Sequence, residues 1–239
     1  MIRALAQAVR ILTIVPVPFV RHEDADFESA TQFFPLVGAL VALVSGATYA
    51  VTGARPLSAV LAIAASIIIT GALHEDGLAD SADGLFGGAT PEERLRILRD
   101  SRIGSFGALA LILTILIRGL ALAQFSASDA LVRLLAVHAA ARLACVIAMV
   151  SMPYAGENAK LSMSRDRISG RHLVPAAVFG LAPLILLPGD RIAPALLAAT
   201  LAAGSVGWIA MKKIGGRTGD ILGAIEQTAE IGLWLGIAL

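Results

Sequence analysis

The sequence PLSAVLAIAASIIITGAL, residues 56–73, carries no charged side chain and runs directly into the acidic segment HEDGLADSADGLFGG, residues 74–88. A helix needs about 20 mostly apolar residues to cross the hydrocarbon core of a membrane, and about 17–25 are tolerated. Across the whole chain 57% of the residues are hydrophobic and 15% are charged, whereas about 25% are charged in an ordinary globular protein. So few charges cannot cover a water-facing surface, and the sequence therefore predicts a membrane protein.

Similar apolar stretches recur along the 239 residues. They predict an all-α, polytopic membrane helix bundle with about seven transmembrane helices in a single integral-membrane domain, residues 1–239. The predicted spans cover residues 29–54, 56–73, 103–125, 134–156, 173–189, 192–211 and 221–239.

The distribution of basic residues predicts how the bundle is oriented. Three very short connections carry only Arg55, Arg133 and Arg191, and the other basic loop residues fall on the opposite side of the membrane. Because basic loops stay in the cytoplasm, the long polar loops are predicted to be cytoplasmic. Near the N-terminus, Arg3 and Arg10 lie seven residues apart on one helical face, which favours an interfacial helix over an eighth span.

The overall charge and the cysteine content exclude several classes of protein. The formal net charge is +1, so no bulk electrostatic field favours a nucleic-acid partner. Cys145 is the sole cysteine, which excludes an internal disulfide and a thiolate metal cluster.

Three aspartates in the acidic segment share one helical face. Asp76, Asp80 and Asp83 are spaced by four and three residues, so on a helix they fall within about 60° of one another. No basic residue lies between Glu75 and Gly88 to relieve their repulsion. Carboxylate oxygens favour Mg²⁺ or Mn²⁺ over zinc. The alternative is a solvated acidic face, which is less favoured because aspartate is a poor helix former.

Two further polar segments have the composition of anion-binding sites. RDSRIGSFG, residues 99–107, places Asp100, Ser101 and Arg102 at the mouth of a predicted span, where a guanidinium could bind a phosphate or serve only as a cytoplasmic anchor. GGRTGDILGA, residues 215–224, combines glycines and Arg217 with a helix start. Asp220 in that segment is predicted either to cap the helix or to add a fourth carboxylate.

Charged residues at membrane depth normally face the interior of a bundle. Arg142 is predicted to pair with Glu226 or Glu230, and this structural role is favoured over contact with an anionic substrate. His138 is predicted to be an interior histidine with a hydrogen-bond partner. For His74, orientation of a phosphate and a simple capping role are equally favoured.

Two other segments are assigned structural roles. Residues 90–93, TPEE, predict the N-cap and first turn of a short helix with a capping box. The loop of residues 152–171 is predicted to be a cytoplasmic segment able to cover a charged substrate.

The motifs FFPLVGAL, HEDGLADSADGLFGG, RDSRIGSFG and RTGDILGA occur in this order, and the chain that carries them closely resembles the cobalamin synthase family, the adenosylcobinamide-GDP ribazoletransferases. The resemblance implies a magnesium-dependent enzyme of the cell inner (cytoplasmic) membrane. Such an enzyme joins adenosylcobinamide-GDP to alpha-ribazole or its 5′-phosphate and releases GMP. Carried over by motif, the implicated residues are His74, Asp76, Asp80, Asp83, Asp100, Ser101, Arg102, Arg217 and Asp220.

The residue chemistry and the resemblance lead to one hypothesis for the catalytic domain. Asp76, Asp80 and Asp83 ligate Mg²⁺, and Asp220 is a further ligand or the general base. Arg102 and Arg217 hold phosphates. The spacing alone extends only to a membrane phosphotransferase, and the corrinoid substrate rests on the resemblance.

Two other functions remain as alternatives. One is an enzyme of lipid synthesis resembling a CDP-alcohol phosphotransferase, although the aspartate spacing of that family is absent. The other is a metal or solute transporter, which would place more polar groups near the middle of the bilayer. The expected partners besides the substrates are the lipid bilayer and, through exposed glycines on apolar helices, a second copy of the chain in a homodimer.

Overall fold

The computed structural model describes residues 1–17, 27–53, 55–155 and 169–239. These residues form eleven α-helices and no β-strand; an isolated bridge joins Tyr154 to Arg217. The helices are α1 Ile2–Leu12, α2 Phe27–Thr31, α3 Phe34–Val51, α4 Pro56–Thr70, α5 Leu73–Gly87, α6 Pro91–Ile97, α7 Ser105–Leu122, α8 Ala127–Ser151, α9 Leu173–Leu181, α10 Gly189–Ile214 and α11 Gly219–Ala238. The predicted all-α architecture is confirmed.

Four helices, α3, α7, α8 and α10, are long and apolar enough to cross a membrane, and α4 with α5 would make a fifth span bent by 90°. The predicted spans at 173–189 and 221–239 correspond to the short apolar segment Gly170–Leu186 and to α11. Because α11 contains buried Glu226, Gln227 and Glu230, it is less apolar than the other long helices. The membrane character is therefore supported, and the count of seven spans stays a prediction.

The N-terminal helix α1 has 11 residues, with Ala8 and Leu12 buried and the first residues exposed. At 1.5 Å per residue it is too short to span a bilayer, in keeping with the predicted interfacial helix. Arg21 and residues 156–168 of the predicted substrate-covering loop lie outside the described residues.

Helices α8 and α11 form the centre of the bundle. Helix α8 packs against α3, α9 and α11, and α11 also packs against α5, α7 and α10. Helices α10 and α11 pack closely: a Cβ atom on Gly232 would lie 2.5 Å from the Cα of Ala199, and one on Gly236 would overlap the backbone of Ala195. Small residues spaced by four therefore let the two backbones meet, as is common in membrane helices.

A sharp turn between α4 and α5 determines where the acidic segment lies. Gly71 and Ala72 both adopt the left-handed conformation, with φ of 63° and 58°. Ala72 is the one non-glycine residue with positive φ in the described part of the chain. The turn bends the chain by 90°, so the acidic residues continue on α5 against α7 and α11 and not along the axis of α4.

Candidate functional site

The acidic segment is helical, as its spacing predicts, and its aspartates lie on one face of α5. Asp76 is exposed, Asp80 is half-buried and Asp83 is buried. Asp80 is under the electrostatic influence of Asp76, Asp83 and Asp220, all of the same sign. Neither Asp76 nor Asp80 has a side-chain hydrogen bond or ion pair within the described ranges. The face therefore concentrates negative charge that no basic side chain described here neutralises.

Helix α11 brings Asp220 to this face through a glycine contact. A Cβ atom on Gly77 would lie 2.8 Å from the carbonyl oxygen of Asp220 and 3.1 Å from the Cα of Gly223. The missing side chains thus let α5 and α11 cross with their backbones in contact. This crossing explains how two motifs nearly 150 residues apart in the sequence come together.

Asp220 itself does not cap α11. The N-cap is Thr218, whose hydroxyl accepts a hydrogen bond from the amide of Ile221 at 3.3 Å and donates one to Asp220 Oδ2 at 3.2 Å. Burial raises the pKa of Asp220 above its ordinary value, and the nearby charge of Asp76 adds to the rise. Asp220 is therefore available to the acidic face, and a raised pKa makes it a better proton acceptor.

Asp83 has a second role that the sequence spacing does not indicate. Its Oδ2 accepts the backbone N–H of Gly104 at 2.6 Å, and its Oδ1 accepts that of Gly107 at 2.9 Å. These amides belong to the start of α7, whose N-cap Gly104 has no side chain to cap it. A carboxylate at a helix N-terminus stabilises the exposed amides and the helix dipole. Each oxygen retains lone-pair capacity, so the metal role of Asp83 stays a prediction.

Replacing Asp83 with asparagine is expected to destabilise the protein by about 1–3 kcal/mol, because the amide can accept only one of the two backbone hydrogen bonds and leaves one buried N–H unpaired. The midpoint of thermal aggregation, followed by size-exclusion chromatography in detergent, measures the change. Asp129→Asn is the matched control at an exposed position in the first turn of α8, where a change within about 0.5 kcal/mol is expected. Equal midpoints for the two variants would contradict the capping role.

The segment of residues 99–107 presents charged groups at the surface. Arg102 forms a bidentate pair with Asp100, with Nε 3.0 Å from Oδ1 and Nη2 2.6 Å from Oδ2. This contact holds the pKa of Asp100 at about 2, well below its ordinary value. Asp100 and Ser101 also line a surface cavity of about 530 Å³ together with Arg96 and Arg99. The phosphate-binding roles of Asp100, Ser101 and Arg102 stay predictions.

Arg217 is buried, and its backbone is fixed to the end of α8. Its N–H donates to the carbonyl of Pro153 at 2.8 Å, and its carbonyl accepts the N–H of Ala155 at 2.8 Å. The guanidinium carbon lies 5.8 Å from the centre of the Tyr154 ring. Burial lowers the pKa of Arg217 from its ordinary value. Arg217, His74, Asp76 and Asp220 line one cavity, so four of the predicted site residues face a common space.

The charged residues at membrane depth form one buried network. Arg142 Nη1 lies 2.7 Å from Glu226 Oε1 and 3.4 Å from Glu230 Oε1, and His138 Nδ1 lies 2.6 Å from Glu230. The predicted pairing of Arg142 and the interior position of His138 are confirmed. Sequence reasoning missed the second half of the network, in which Arg118 lies 3.1 Å from Glu75 and 3.0 Å from Glu230.

The carboxylates of the acidic face fit a magnesium ion in their chemistry. Hard oxygen ligands without a basic partner are typical of Mg²⁺ sites, which also use water and substrate phosphates. In the described ranges, the group whose ligand atoms all lie within 4.8 Å of one another is His138, Glu226 and Glu230, not the aspartates. The carboxylates of that buried group already have basic partners in Arg142 and Arg118. No three of the aspartates bring their carboxylate oxygens within that distance in the described ranges, so oxygens from water and substrate would complete the coordination of an ion held there.

The helix after the acidic segment is built as the sequence predicts. Thr90 accepts the N–H of Glu93 at 3.2 Å, and Glu93 accepts the N–H of Ala89 at 2.9 Å, so α6 begins with a capping box shifted by one residue. Sequence reasoning missed Lys213, whose Nζ donates to the carbonyl of Leu85 at 2.7 Å and lies 4.5 Å from the Phe86 ring. This contact joins the ends of α5 and α10.

Comparison with known proteins gives matches over almost the whole chain. Residues 4–238 match the family model described as cobalamin-5-phosphate synthase. The adenosylcobinamide-GDP ribazoletransferase of Chlorobaculum tepidum is 39% identical, over 100% of this chain and 96% of the relative. Those of Bradyrhizobium diazoefficiens and Ralstonia pickettii are 42% and 37% identical, over 94% and 96% of this chain and 88% and 92% of the relatives. No solved structure gives a significant match.

Proposed function

Because the chain belongs to the cobalamin-5-phosphate synthase family, we propose that it is an adenosylcobinamide-GDP ribazoletransferase of the cell inner membrane whose active site faces the cytoplasm. The observation that supports this function best is the full-length match to relatives with that name. The cluster of Asp76, Asp80 and Asp220 supplies the chemistry that such a transfer needs. A CDP-alcohol phosphotransferase and a transporter are not favoured, because the chain matches ribazoletransferases over nearly its full length and lacks the aspartate spacing of the CDP-alcohol family.

The reaction exchanges a phosphoanhydride bond of the donor for a new phosphate ester bond. A ribose hydroxyl of alpha-ribazole, or of its 5′-phosphate, attacks the phosphoryl group attached to the cobinamide arm of adenosylcobinamide-GDP. The new O–P bond forms as the bond to the second phosphate breaks, so GMP leaves and the product is adenosylcobalamin or its 5′-phosphate. The hydroxyl proton passes to a base on the protein. Asp220 is suited to this role because its carboxylate is partly buried and its pKa is raised.

The other site residues bind and position the two substrates. Asp76, Asp80 and Asp83 would hold Mg²⁺, and Asp83 also fixes the start of α7 beside them. Bound Mg²⁺ would neutralise charge on the diphosphate oxygens. Arg217 holds a phosphate from within the cavity, and His74 orients it. Arg102 releases Asp100 and binds a phosphate at the surface in its place, since a guanidinium can bind either a carboxylate or a phosphate bidentately.

The two predicted phosphate-binding regions, around Arg102 and around Arg217, have different surroundings. Asp100 and Ser101 line the exposed cavity of about 530 Å³, and Arg102 pairs with Asp100. A nucleotide leaving group can depart into water from this cavity. Arg217 lies in a partly apolar cavity between helices. We assign the exposed cavity to the GMP half of the donor and the partly apolar cavity, which Asp76 and Asp220 also line, to the acceptor.

The direct test is turnover by the purified, detergent-solubilised protein. With adenosylcobinamide-GDP, alpha-ribazole 5′-phosphate and Mg²⁺ we expect equimolar release of GMP and formation of adenosylcobalamin 5′-phosphate. Chelation with EDTA is expected to lower the rate at least about 100-fold, and added Mg²⁺ should restore it. Omitting the acceptor controls for simple hydrolysis of the diphosphate. Absence of the product with both substrates present would refute the function, and full activity in EDTA would refute the metal requirement alone.

A further inference from the structure

The cavity that contains Arg217 is larger than a phosphate requires. It has a volume of about 340 Å³ and lies among α1, α2, α3, α5, α8 and α11. Besides Asp76 and Asp220 from the acidic face, it is lined by apolar side chains that include Leu12, Phe34 and Met149. Pockets for small organic ligands have this composition and start at about 300 Å³. The cavity is therefore large enough for an organic group bound next to the reacting phosphates.

Arg142 contributes to the wall of this cavity, and its donors are incompletely used. Its side chain is buried, with 2% of its surface exposed. All of its hydrogen bonds and ion pairs go through Nη1, to His138, Glu226 and Glu230. Nε is buried without a partner, and Nη2 makes no hydrogen bond to the described residues. Buried polar groups are rarely left unsatisfied, so this guanidinium indicates a ligand that accepts a hydrogen bond.

The two substrates of the proposed reaction differ in how they fit this space. The corrin ring system is much larger than the cavity. Guanine carries donors and acceptors along a whole edge, and these would lose their hydrogen bonds against Leu12, Phe34 and Met149. The base of alpha-ribazole is a flat, dimethylated benzimidazole with a single free ring nitrogen that accepts a hydrogen bond. An apolar cavity with one buried donor matches this base.

Resting on the proposed function, we propose that this cavity holds the base of the acceptor alpha-ribazole and that Arg142 donates a hydrogen bond to the ring nitrogen not attached to ribose. The sugar then lies toward Asp76 and Asp220, which line the same cavity. The attacking hydroxyl is thereby placed beside the acidic face. The buried network of Arg142, Glu226 and Glu230 holds the guanidinium in place, so recognition of the base depends on it.

The first experiment removes the acceptor atom from the ligand. The wild-type protein is assayed with alpha-ribazole 5′-phosphate and with the isosteric nucleotide in which dimethylindole replaces dimethylbenzimidazole. Loss of a hydrogen bond from a charged donor is expected to raise KM about 10- to 100-fold. In Arg142→Lys, which keeps a positive charge beside Glu226, the KM for the indole nucleotide should exceed the KM for alpha-ribazole 5′-phosphate by a ratio of only about twofold. Arg191→Lys, at a partly exposed position in the first turn of α10, is the matched control that should retain the full ratio.

The second experiment narrows the cavity at Cys145, which lines it and is buried. Cys145→Met adds volume and is expected to raise KM for alpha-ribazole 5′-phosphate about tenfold. KM for adenosylcobinamide-GDP should stay unchanged. Ala47→Met, which adds a similar volume at an exposed position of α3 outside the cavity, is the control and should leave both KM values within about twofold.

The outcomes separate this inference from the proposed function. If the wild type makes the product but uses the indole nucleotide with the same KM, the base is not bound by Arg142 and the inference is wrong while the function stands. If Cys145→Met raises both KM values equally, the cavity is not specific to the acceptor. If neither nucleotide gives product, the proposed function itself fails.

Discussion

Replacing Asp80 with asparagine is expected to lower the rate of ribazole transfer by about 10²–10³-fold, the size of effect seen when one charged group that stabilises a transition state is removed. Asn is nearly isosteric with Asp but carries no negative charge. Asp80 lies between Asp76 and Asp83 on the acidic face and is half-buried, so it is the carboxylate most surrounded by like charge. Among the carboxylates of the acidic face, the charge of Asp80 is therefore expected to contribute most to Mg²⁺ binding.

The measurement is product formation under saturating substrates by the purified variant in detergent. The substitution removes repulsion from Asp76, Asp83 and Asp220, so the thermal midpoint should stay the same or rise. A fall in activity with retained stability separates loss of chemistry from loss of folding. Asp190→Asn is the matched control, because Asp190 is 76% exposed at the start of α10 and away from the site. Wild-type turnover by Asp80→Asn would refute the role of the acidic face.

The sequence was sufficient to predict those features that depend on local spacing. The four- and three-residue intervals of Asp76, Asp80 and Asp83 predict one helical face, and α5 has it. The capping box before α6 follows the same logic. The pairing of Arg142 with Glu226 or Glu230 could be predicted because an ion at membrane depth needs a partner, and Arg142 contacts both. In each case a periodicity or an unavoidable electrostatic cost was enough.

Contacts between distant segments could not be predicted from spacing. Nothing local to Asp83 indicates that it accepts the amides of Gly104 and Gly107 at the start of α7. The two glycines in RIGSFG were the available signal, since a helix start without a capping side chain requires an acceptor from elsewhere. The 90° turn at Gly71 and Ala72 was also missed, because the apolar run continues through it.

The buried network shows why the roles of neighbouring acidic residues are hard to predict from the sequence. Glu75 adjoins the acidic face in the sequence, yet its carboxylate pairs with Arg118 inside the bundle. Adjacent positions on a helix point about 100° apart, so Glu75 and Asp76 serve different surroundings. Glu75 thus adds structural stability, and its neighbour stays free of any basic partner in the part of the chain described here. Counting the acidic residues of the segment would not distinguish the structural role of Glu75 from the position of Asp76 on the acidic face.

The crossing of α5 and α11 makes the site sensitive to a single methyl group. Replacing Gly77 with alanine is expected to lower activity about 100-fold, because the new Cβ would lie 2.8 Å from the carbonyl oxygen of Asp220 and 3.1 Å from the Cα of Gly223. Backbone atoms cannot move aside as a flexible side chain can, so the helices must separate. A displacement of about 1 Å is enough for such a loss when reacting groups are misplaced. Asp220 would then move away from Asp76 and Asp80.

Gly204→Ala supplies the matched control, because a Cβ atom at Gly204 in α10 would meet nothing within 4 Å. In an exposed helix this change normally stabilises by about 1 kcal/mol, and activity should be unaffected. At Gly77 the same helix-forming advantage is outweighed by overpacking, which typically costs about 1–3 kcal/mol. The thermal midpoints of the two variants should therefore shift in opposite directions, downward for Gly77→Ala and upward for Gly204→Ala. A Gly77→Ala protein with wild-type activity and an unchanged midpoint would show that the two helices need not touch, and that Asp220 reaches the acidic face by some other route.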